Sequence, residues 1–174
     1  MAGTPVRTLS RRSLVVGGAI LLVVVAVIVV LVVRANAGPS SPGDVTFGAG
    51  GAQAAVGASQ FCDVQVTECG DDPDANAVLP VPPNTPLVVR VPEQVSSTPW
   101  QLAFQFRDAN GATQQGRSPV FAPGTTPTYT LVLPDAADQL TSAEVQQYGA
   151  RLSQGPNGLE FATRATWVLS VDDR

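Results

Sequence analysis

Hydrophobic positions along the chain follow two different patterns, and the first is a continuous run. Residues 13–33 read SLVVGGAILLVVVAVIVVLVV and contain no charged side chain. A helix built from this run is apolar on every side, unlike the amphipathic helix of a soluble core. It would be roughly 31 Å long, which matches a hydrocarbon core of about 30 Å. The run therefore predicts a transmembrane helix over 13–33.

The second pattern consists of short apolar runs between turn-forming residues. Residues 99–108, PWQLAFQFRD, alternate apolar and polar side chains with the period of a half-buried strand. Asn110 and Gly111 then supply a hairpin turn. Residues 135–140 are predicted to form a loop. Further predicted strands lie at 44–48, 86–92, 126–134, 142–149 and 160–173. Short strands at this spacing predict a mainly β domain over 44–174, an immunoglobulin-like antiparallel β-sandwich.

Six aromatic side chains are expected to fill the core between the two sheets of this sandwich. They are Trp100, Phe104, Phe106, Tyr129, Tyr148 and Trp167. Large aromatic residues on separate strands of a small sandwich usually pack between its sheets. We therefore assign them to the core rather than to a ligand platform.

The placement of arginine predicts how the chain is oriented in the membrane. Arg7, Arg11 and Arg12 precede the apolar run, and residues 35–174 hold six arginines against fourteen carboxylates, a formal charge of −8. Positive flanks stay in the cytoplasm. Residues 1–12 are thus predicted to be a cytoplasmic tail, 34–43 a flexible linker rich in Gly, Pro and Ser, and 44–174 an extracytoplasmic domain of a single-pass cell-membrane protein.

A removable export signal is the alternative interpretation of the same segment. SRRSLVV at 10–16 resembles a twin-arginine motif, and ANAG at 35–38 offers a cleavage site after Ala37. The apolar run is longer than the usual signal segment of roughly 7–15 residues, which favours an uncleaved anchor. Both interpretations deliver the β domain to the same side of the membrane.

The composition excludes several kinds of chemistry. The chain has no histidine, and all ten of its positive side chains are arginine. Ser-His-Asp and Cys-His catalysis, histidine-ligated metals and lysine Schiff bases are therefore excluded, and the acidic charge argues against nucleic acid as a partner. No catalytic residue, cofactor or metal centre is predicted, and we expect a protein that is not an enzyme.

Both cysteines lie in QFCDVQVTECG, residues 60–70. On one extended strand the Cα atoms of Cys62 and Cys69 would be roughly 23 Å apart, whereas a disulfide requires less than about 7 Å. Two cysteines outside the cytoplasm normally pair, and the spacing is not that of a Cys-x-x-Cys redox site. We predict a structural disulfide with the chain folded back between them, and free or intermolecular thiols are the alternative.

An acidic loop follows the second cysteine. Asp72, Asp74 and Asn76 are spaced like the opening of a calcium loop, and Asp71 precedes them. Ala77 replaces the glycine that such a loop needs, and Pro83 stands where its glutamate would be. A solvated surface loop is therefore the favoured interpretation, with a cation held in some other geometry as the alternative.

Several of these segments, taken in order, resemble a known family. They are FCDVQVTEC at 61–69, VPEQVSSTPW at 91–100, FAPG at 121–124 and RATW at 164–167. Together they are similar to the actinobacterial envelope family catalogued as domain of unknown function 2771, over about residues 44–171. The resemblance implies a secreted lipoprotein or single-span membrane protein with a small all-β outer domain, and it implies no activity. This chain lacks the lipid-modified cysteine of some relatives, which favours the helical anchor.

These features predict a non-catalytic binding or accessory module for another envelope or membrane protein. One alternative is a carrier or sensor of a small or lipidic envelope ligand held between the sheets. Another is a hydrolase that acts through the acidic residues at 68–74.

Overall fold

The computed structural model describes residues 22–29, 41–135, 137–155 and 158–172. Residues 22–29 are helical (α1), while the rest of the predicted span 13–33, the tail 1–12 and linker residues 34–40 lie outside the described residues. Within the described ranges, no helix has both the length and the apolar character that crossing a membrane requires. The chain divides into two units, Met1–Ala37 and Gly38–Arg174, and the second contains all the strands described below.

Strands make up most of the second unit. They are β1 (Val45–Ala49), β2 (Ala52–Val56), β3 (Gln60–Cys62), β4 (Cys69–Asp71), β5 (Ala77–Pro80), β6 (Leu87–Arg90), β7 (Trp100–Asp108), β8 (Thr113–Arg117), β9 (Thr128–Leu131), β10 (Ala137–Gly155) and β11 (Gly158–Asp172). A single helical turn, α2 (Glu93–Ser96), precedes β7. The prediction of a mainly β domain is confirmed.

The strands form two sheets. The first has four strands in the order β2-β1-β6-β9, and the second has seven, in the order β4-β3-β11-β10-β7-β8 with β5 also paired to β11. The described pairs are antiparallel except β5 with β11, which is parallel. Apolar residues from both sheets form one buried cluster, as expected for a β-sandwich.

Alternating side chains supply the core. On β11, Ala165, Trp167 and Leu169 are buried, and on β7 the predicted inward positions Trp100 and Leu102 are buried as well. The two indole N–H groups also find acceptors, since Trp100 Nε1 donates to the carbonyl of Thr126 at 3.1 Å and Trp167 Nε1 donates to that of Gly43 at 2.9 Å. Each tryptophan therefore ties its sheet to a loop as well as filling space.

The aromatic predictions are confirmed with one exception. Phe106 is buried, and Phe104 and Tyr129 pack against the core while partly exposed. Tyr148 is not a core residue, because the neighbouring Gln147 takes the inward position of β10 and is fully buried. Register shifts in the β10–β11 ladder on both sides of Tyr148 accompany this change. Tyr148 lies instead with Gln101 and Gln146 along a surface cavity.

The β7–β8 hairpin turns at the predicted Asn-Gly pair. Gly111 adopts a positive φ of 81°, and the side chain of Asp108 accepts hydrogen bonds from the amides of Asn110 and Ala112, each at 2.9 Å. These bonds lower the pKa of Asp108, chiefly the one from Ala112. The turn is thus fixed by its own local chemistry.

The predicted loop over 135–140 is wrong beyond its first residues. Strand β10 already begins at Ala137, which pairs with Asp108, and Leu140 pairs with Phe106. The far end of the long strand β7 supplies a pairing partner that the local sequence does not reveal. Gln139 is buried here and donates its Nε2 to the carbonyl of Val81 at 2.7 Å.

Candidate functional site

The two cysteines form the predicted disulfide. Cys62 ends β3 and Cys69 begins β4, the two residues are paired in register, and their Cα atoms are 4.0 Å apart. The chain therefore folds back as a hairpin between them. The residues that the disulfide closes, 63–68, are called the clamp loop below.

The clamp loop is organised by one carboxylate. Asp63 accepts hydrogen bonds from the amide and the hydroxyl of Thr67, each at 2.7 Å, and from the amide of Glu68 at 3.3 Å. These donors lower the pKa of Asp63, the Thr67 amide most strongly, because they stabilise the ionised form. Val66, at the tip of the loop, has a positive φ of 55°.

The clamp loop docks onto an irregular part of β10. The amide of Ala150 donates to the carbonyl of Val64 at 3.1 Å, and Nη1 of Arg151 donates to that of Val66 at 3.4 Å. A Cβ atom on Gly149 would lie 2.7 Å from Cγ2 of Val66, so the close approach requires glycine. The disulfide loop thus supports the point at which β10 leaves the sandwich.

Beyond this point β10 and β11 continue as a two-stranded arm, residues 148–155 and 158–163. Strand β7 accompanies β10 only as far as Gln147, and β3 accompanies β11 only as far as Ala165. On the arm Leu152 pairs with Phe161, and Gln154 pairs with Leu159. Leu152, Leu159 and Phe161 are 51%, 71% and 55% exposed.

These three apolar residues share one face of the arm. Cross-strand partners and alternate residues of a strand point to the same side, so Leu159, Phe161 and its partner Leu152 form a single surface. This surface is called the arm face below. It is continuous with a cavity at the base of the arm, because Phe161 lines both.

The cavity, called the outer groove, has a volume of about 390 Å³. It is lined by Gln101, Arg117, Val120, Gln146, Tyr148, Glu160, Phe161 and Thr163. Two of these side chains are joined directly, since Gln101 Nε2 donates to Gln146 Oε1 at 3.1 Å, and Gln146 Nε2 continues to Glu144 Oε1 at 2.8 Å. Four strands or the segments that follow them therefore meet in one polar and aromatic depression.

Tyr148 lies in this groove with its hydroxyl protonated at neutral pH. Burial raises the pKa of Tyr148, and the opposing effects of the Arg117 cation and of a side-chain hydrogen bond with Gln101 are smaller. A neutral phenol can both donate and accept a hydrogen bond. It contributes polar chemistry to the groove without a charge.

The acidic loop shows no comparable organisation for a ligand. Asp71, Asp72, Asp74 and Asn76 are all exposed. The carboxylate of Asp72 accepts the amide of Asp74 at 3.1 Å, and Nδ2 of Asn76 donates to the carbonyl of Pro73 at 3.2 Å, so both side chains serve the turn itself. Across the described part of the chain, no group of three or more Cys, Asp or Glu side chains is arranged to hold a metal ion.

A second cavity, of about 210 Å³, opens at one end of the sandwich. Proline residues Pro82, Pro83 and Pro86 line one side of it, and Leu133 with Pro134 lines the other. The space between the sheets themselves is occupied by the buried side chains of the core. Both cavities are therefore surface features.

Sequence reasoning missed the outer groove because its residues come from β7, β8, β10 and β11 and are far apart along the chain. One signal was present. Val145 and Tyr148 are three residues apart, so a regular strand cannot turn both toward the core. That conflict of phase indicates either a bulge or an outward tyrosine, and the structure has both.

The model of one protein family matches this chain, over residues 38–172, and its description reads "Protein of unknown function (DUF2771)". No curated protein and no solved structure matches the chain.

Proposed function

Since the chain belongs to the DUF2771 family of proteins of unknown function, we propose its role from the geometry of the β domain. The domain acts as a non-catalytic binding module for another envelope or membrane protein, and it docks through the arm face. The sandwich is of the immunoglobulin-like class. Two facing antiparallel sheets and a buried tryptophan on each of β7 and β11 support that assignment.

The observation that carries this proposal is the exposure of Leu152, Leu159 and Phe161 on one side of the arm. Isolated two-stranded hairpins are marginally stable in water, and clustered exposed apolar side chains mark interaction surfaces. Burying these side chains against another molecule would release free energy that the folded domain alone does not gain. A protein partner with an apolar contact surface supplies that cover.

Membrane attachment belongs to the same proposal. The uncharged run 13–33, preceded by Arg7, Arg11 and Arg12, supports a single span with the β domain outside the cytoplasm. Cleavage after Ala37 would release the domain on the same side. Alkaline extraction of membranes distinguishes the two, because an anchored chain stays with the membrane and a cleaved one is released.

The alternative functions have less support. A carrier of a lipidic ligand would need space between the sheets, where side chains of the core lie instead. A hydrolase acting through residues 68–74 would need a groove, and those residues line neither of the two cavities described above.

The docking proposal is tested by chemical crosslinking in intact cells followed by mass spectrometry. The full chain is compared with Leu159→Ser and with Val78→Ser, a matched control because Val78 on β5 is 65% exposed but lies outside the arm. We expect one or more crosslinked membrane or envelope proteins that Leu159→Ser loses and Val78→Ser retains. Equal crosslinking by both variants would show that the arm face is not the docking surface.

A further inference from the structure

We propose that the outer groove binds a neutral sugar unit, a pyranose ring within a glycan. This inference concerns the groove at the base of the arm and does not depend on a protein partner at the arm face. It assigns a ligand class to a cavity of about 390 Å³, which falls within the range of about 300–1,000 Å³ for small-molecule sites.

The position of the groove decides which groups can recognise a ligand. Its floor is formed by Gln101 on β7 and by Gln146 and Tyr148 on β10. At Gln101 and Gln146 the backbone is already paired, β10 with β7 on one side and with β11 on the other. A peptide therefore cannot add to this floor as a strand. Recognition must come from side chains.

Those side chains offer a plane of neutral hydrogen-bonding groups. Gln101 and Gln146 are joined by one hydrogen bond, and Gln146 is also held by Glu144. Gln101 serves both Gln146 and Tyr148, whereas Gln146 Nε2 donates one of its two N–H groups to Glu144 and keeps the second for a ligand. With the hydroxyls of Tyr148 and Thr163, these amides line one cavity with several neutral donors and acceptors, which suits the adjacent hydroxyls of a sugar.

The charges that line the groove cancel. Arg117 and Glu160 are its two ionic residues, one positive and one negative. A strongly anionic or cationic ligand would meet an unfavourable group on one side for each favourable group on the other. A neutral ligand with hydroxyl groups can accept a hydrogen bond from the Arg117 guanidinium and donate one to the Glu160 carboxylate.

The apolar side of the groove completes the match. Phe161 and Val120 are 55% and 58% exposed and flank the polar floor. A pyranose has hydroxyls around its edge and C–H groups on its faces, so it can bond to the floor while one face contacts the aromatic ring. Removing the ring and the C–H face of the sugar from water favours binding.

The test uses the full chain in a detergent without sugar head groups. Neutral di- and trisaccharides of glucose, galactose and mannose are screened by saturation-transfer NMR, and dissociation constants are measured by calorimetry. An acidic trisaccharide and an uncharged extended peptide are included. We expect at least one neutral sugar to bind, and to bind more tightly than either comparison ligand.

Matched variants locate the binding. Phe161→Ala and Gln146→Ala should each weaken sugar binding about threefold to tenfold. Gln105→Ala, at an exposed glutamine of β7 that does not line the groove, should leave it unchanged. Urea unfolding of each variant verifies that it is folded. Because Phe161→Ala removes an exposed side chain, its fold is expected to survive.

Several results would overturn the proposal. They are a chain that binds none of the neutral sugars, a preference for the acidic sugar or the peptide, or binding unchanged in both groove variants. Leu159→Ser should bind sugar normally, because Leu159 does not line the groove. The sugar proposal can therefore fail while crosslinking at the arm face persists, and the reverse also holds.

Discussion

The body of the sandwich and the arm are both built from β10 and β11, yet apolar side chains are buried in the body and exposed in the arm. In the body, Val145 and Trp167 are completely buried, because the opposite sheet and the neighbouring strands surround them. In the arm, Leu159 is 71% exposed and Leu152 is 51% exposed. The side chains are similar in hydrophobicity, and what differs is the set of neighbours.

This difference assigns separate roles to the two halves of the hairpin. Burying a large apolar side chain contributes about 1.5–3 kcal/mol, and the body gains this free energy when the chain folds. The arm gains this free energy only when a partner buries the arm face. The clamp loop lies at the boundary, where Val64 and Val66 contact Gly149 and its neighbours.

The largest expected effect compares a core residue with an arm residue. Trp167→Ala should lower the free energy of unfolding by about 3–5 kcal/mol, because it removes a fully buried ring from the core. Leu159→Ala should change it by less than about 0.5 kcal/mol. Urea unfolding of the full chain measures both. Similar losses for the two variants would show that the arm belongs to the folded core.

Removing the disulfide should destabilise the base of the arm more than the body of the sandwich. Cys62→Ser with Cys69→Ser opens a short loop, and the expected loss of unfolding free energy is about 2.5 kcal/mol in the chain-entropy model. Hydrogen exchange should accelerate most at the Ala150 amide, which donates to the clamp loop. If Val145 in the body accelerated as much, the clamp loop would not act locally.

A smaller effect tests the contact itself. Gly149→Ala places a methyl group 2.7 Å from Cγ2 of Val66, which requires a shift and should cost about 1–2 kcal/mol. Val66→Ala in the same chain should restore part of that loss, since it removes the clashing atom. Additive losses in this double-mutant cycle would contradict the docking of the clamp loop on β10.

The smallest expected effect is a pH dependence of the clamp loop. The pKa of Asp63 lies below its ordinary value of 3.8 in the folded chain, mainly through the Thr67 amide. Its stabilisation is therefore present above the unfolded-state pKa and is lost as the pH falls through the folded-state pKa.

Acid titration of the urea midpoint and of the Thr67 amide resonance checks this prediction. Asp63→Asn should lose less stability on acidification than the unmodified chain, and its Thr67 resonance should no longer follow the carboxyl titration. Asp108→Asn, which alters the other carboxylate-organised turn, should leave the Thr67 resonance titrating normally. A Thr67 resonance that titrates alike in all three proteins would exclude Asp63 as the cause.

Much of the body could be predicted from the sequence, because its signals are local. Alternation over 99–108 predicts β7, Asn110 and Gly111 predict the turn, and the presence of just two cysteines in a segment expected to lie outside the cytoplasm predicts the disulfide. The start of β10 at Ala137 was not predictable in this way. It depends on the pairing of Ala137 with Asp108 at the end of β7.

The site was harder to predict because its residues meet only through the order of the strands in the sheet. Inward residues Val145 and Gln147 are followed by the outward Tyr148, and the register then shifts again before Leu152. The preference of large aromatic residues for the core misassigned Tyr148, although strand alternation counted from the buried Val145 turns it outward. Recognising the outer groove required the strand order that brings Arg117 and Glu160 to the same cavity.

We propose above that a protein partner covers the arm face in the cell. Hydroxyl-radical footprinting tests it most directly, with the labelling of Leu159 and Leu152 measured in native membranes and in the purified full chain. Val78, 65% exposed on the body, is the internal reference. We expect both leucines to be protected in membranes relative to the purified chain, while Val78 is labelled equally in both. Equal labelling of Leu159 in the two samples would contradict it.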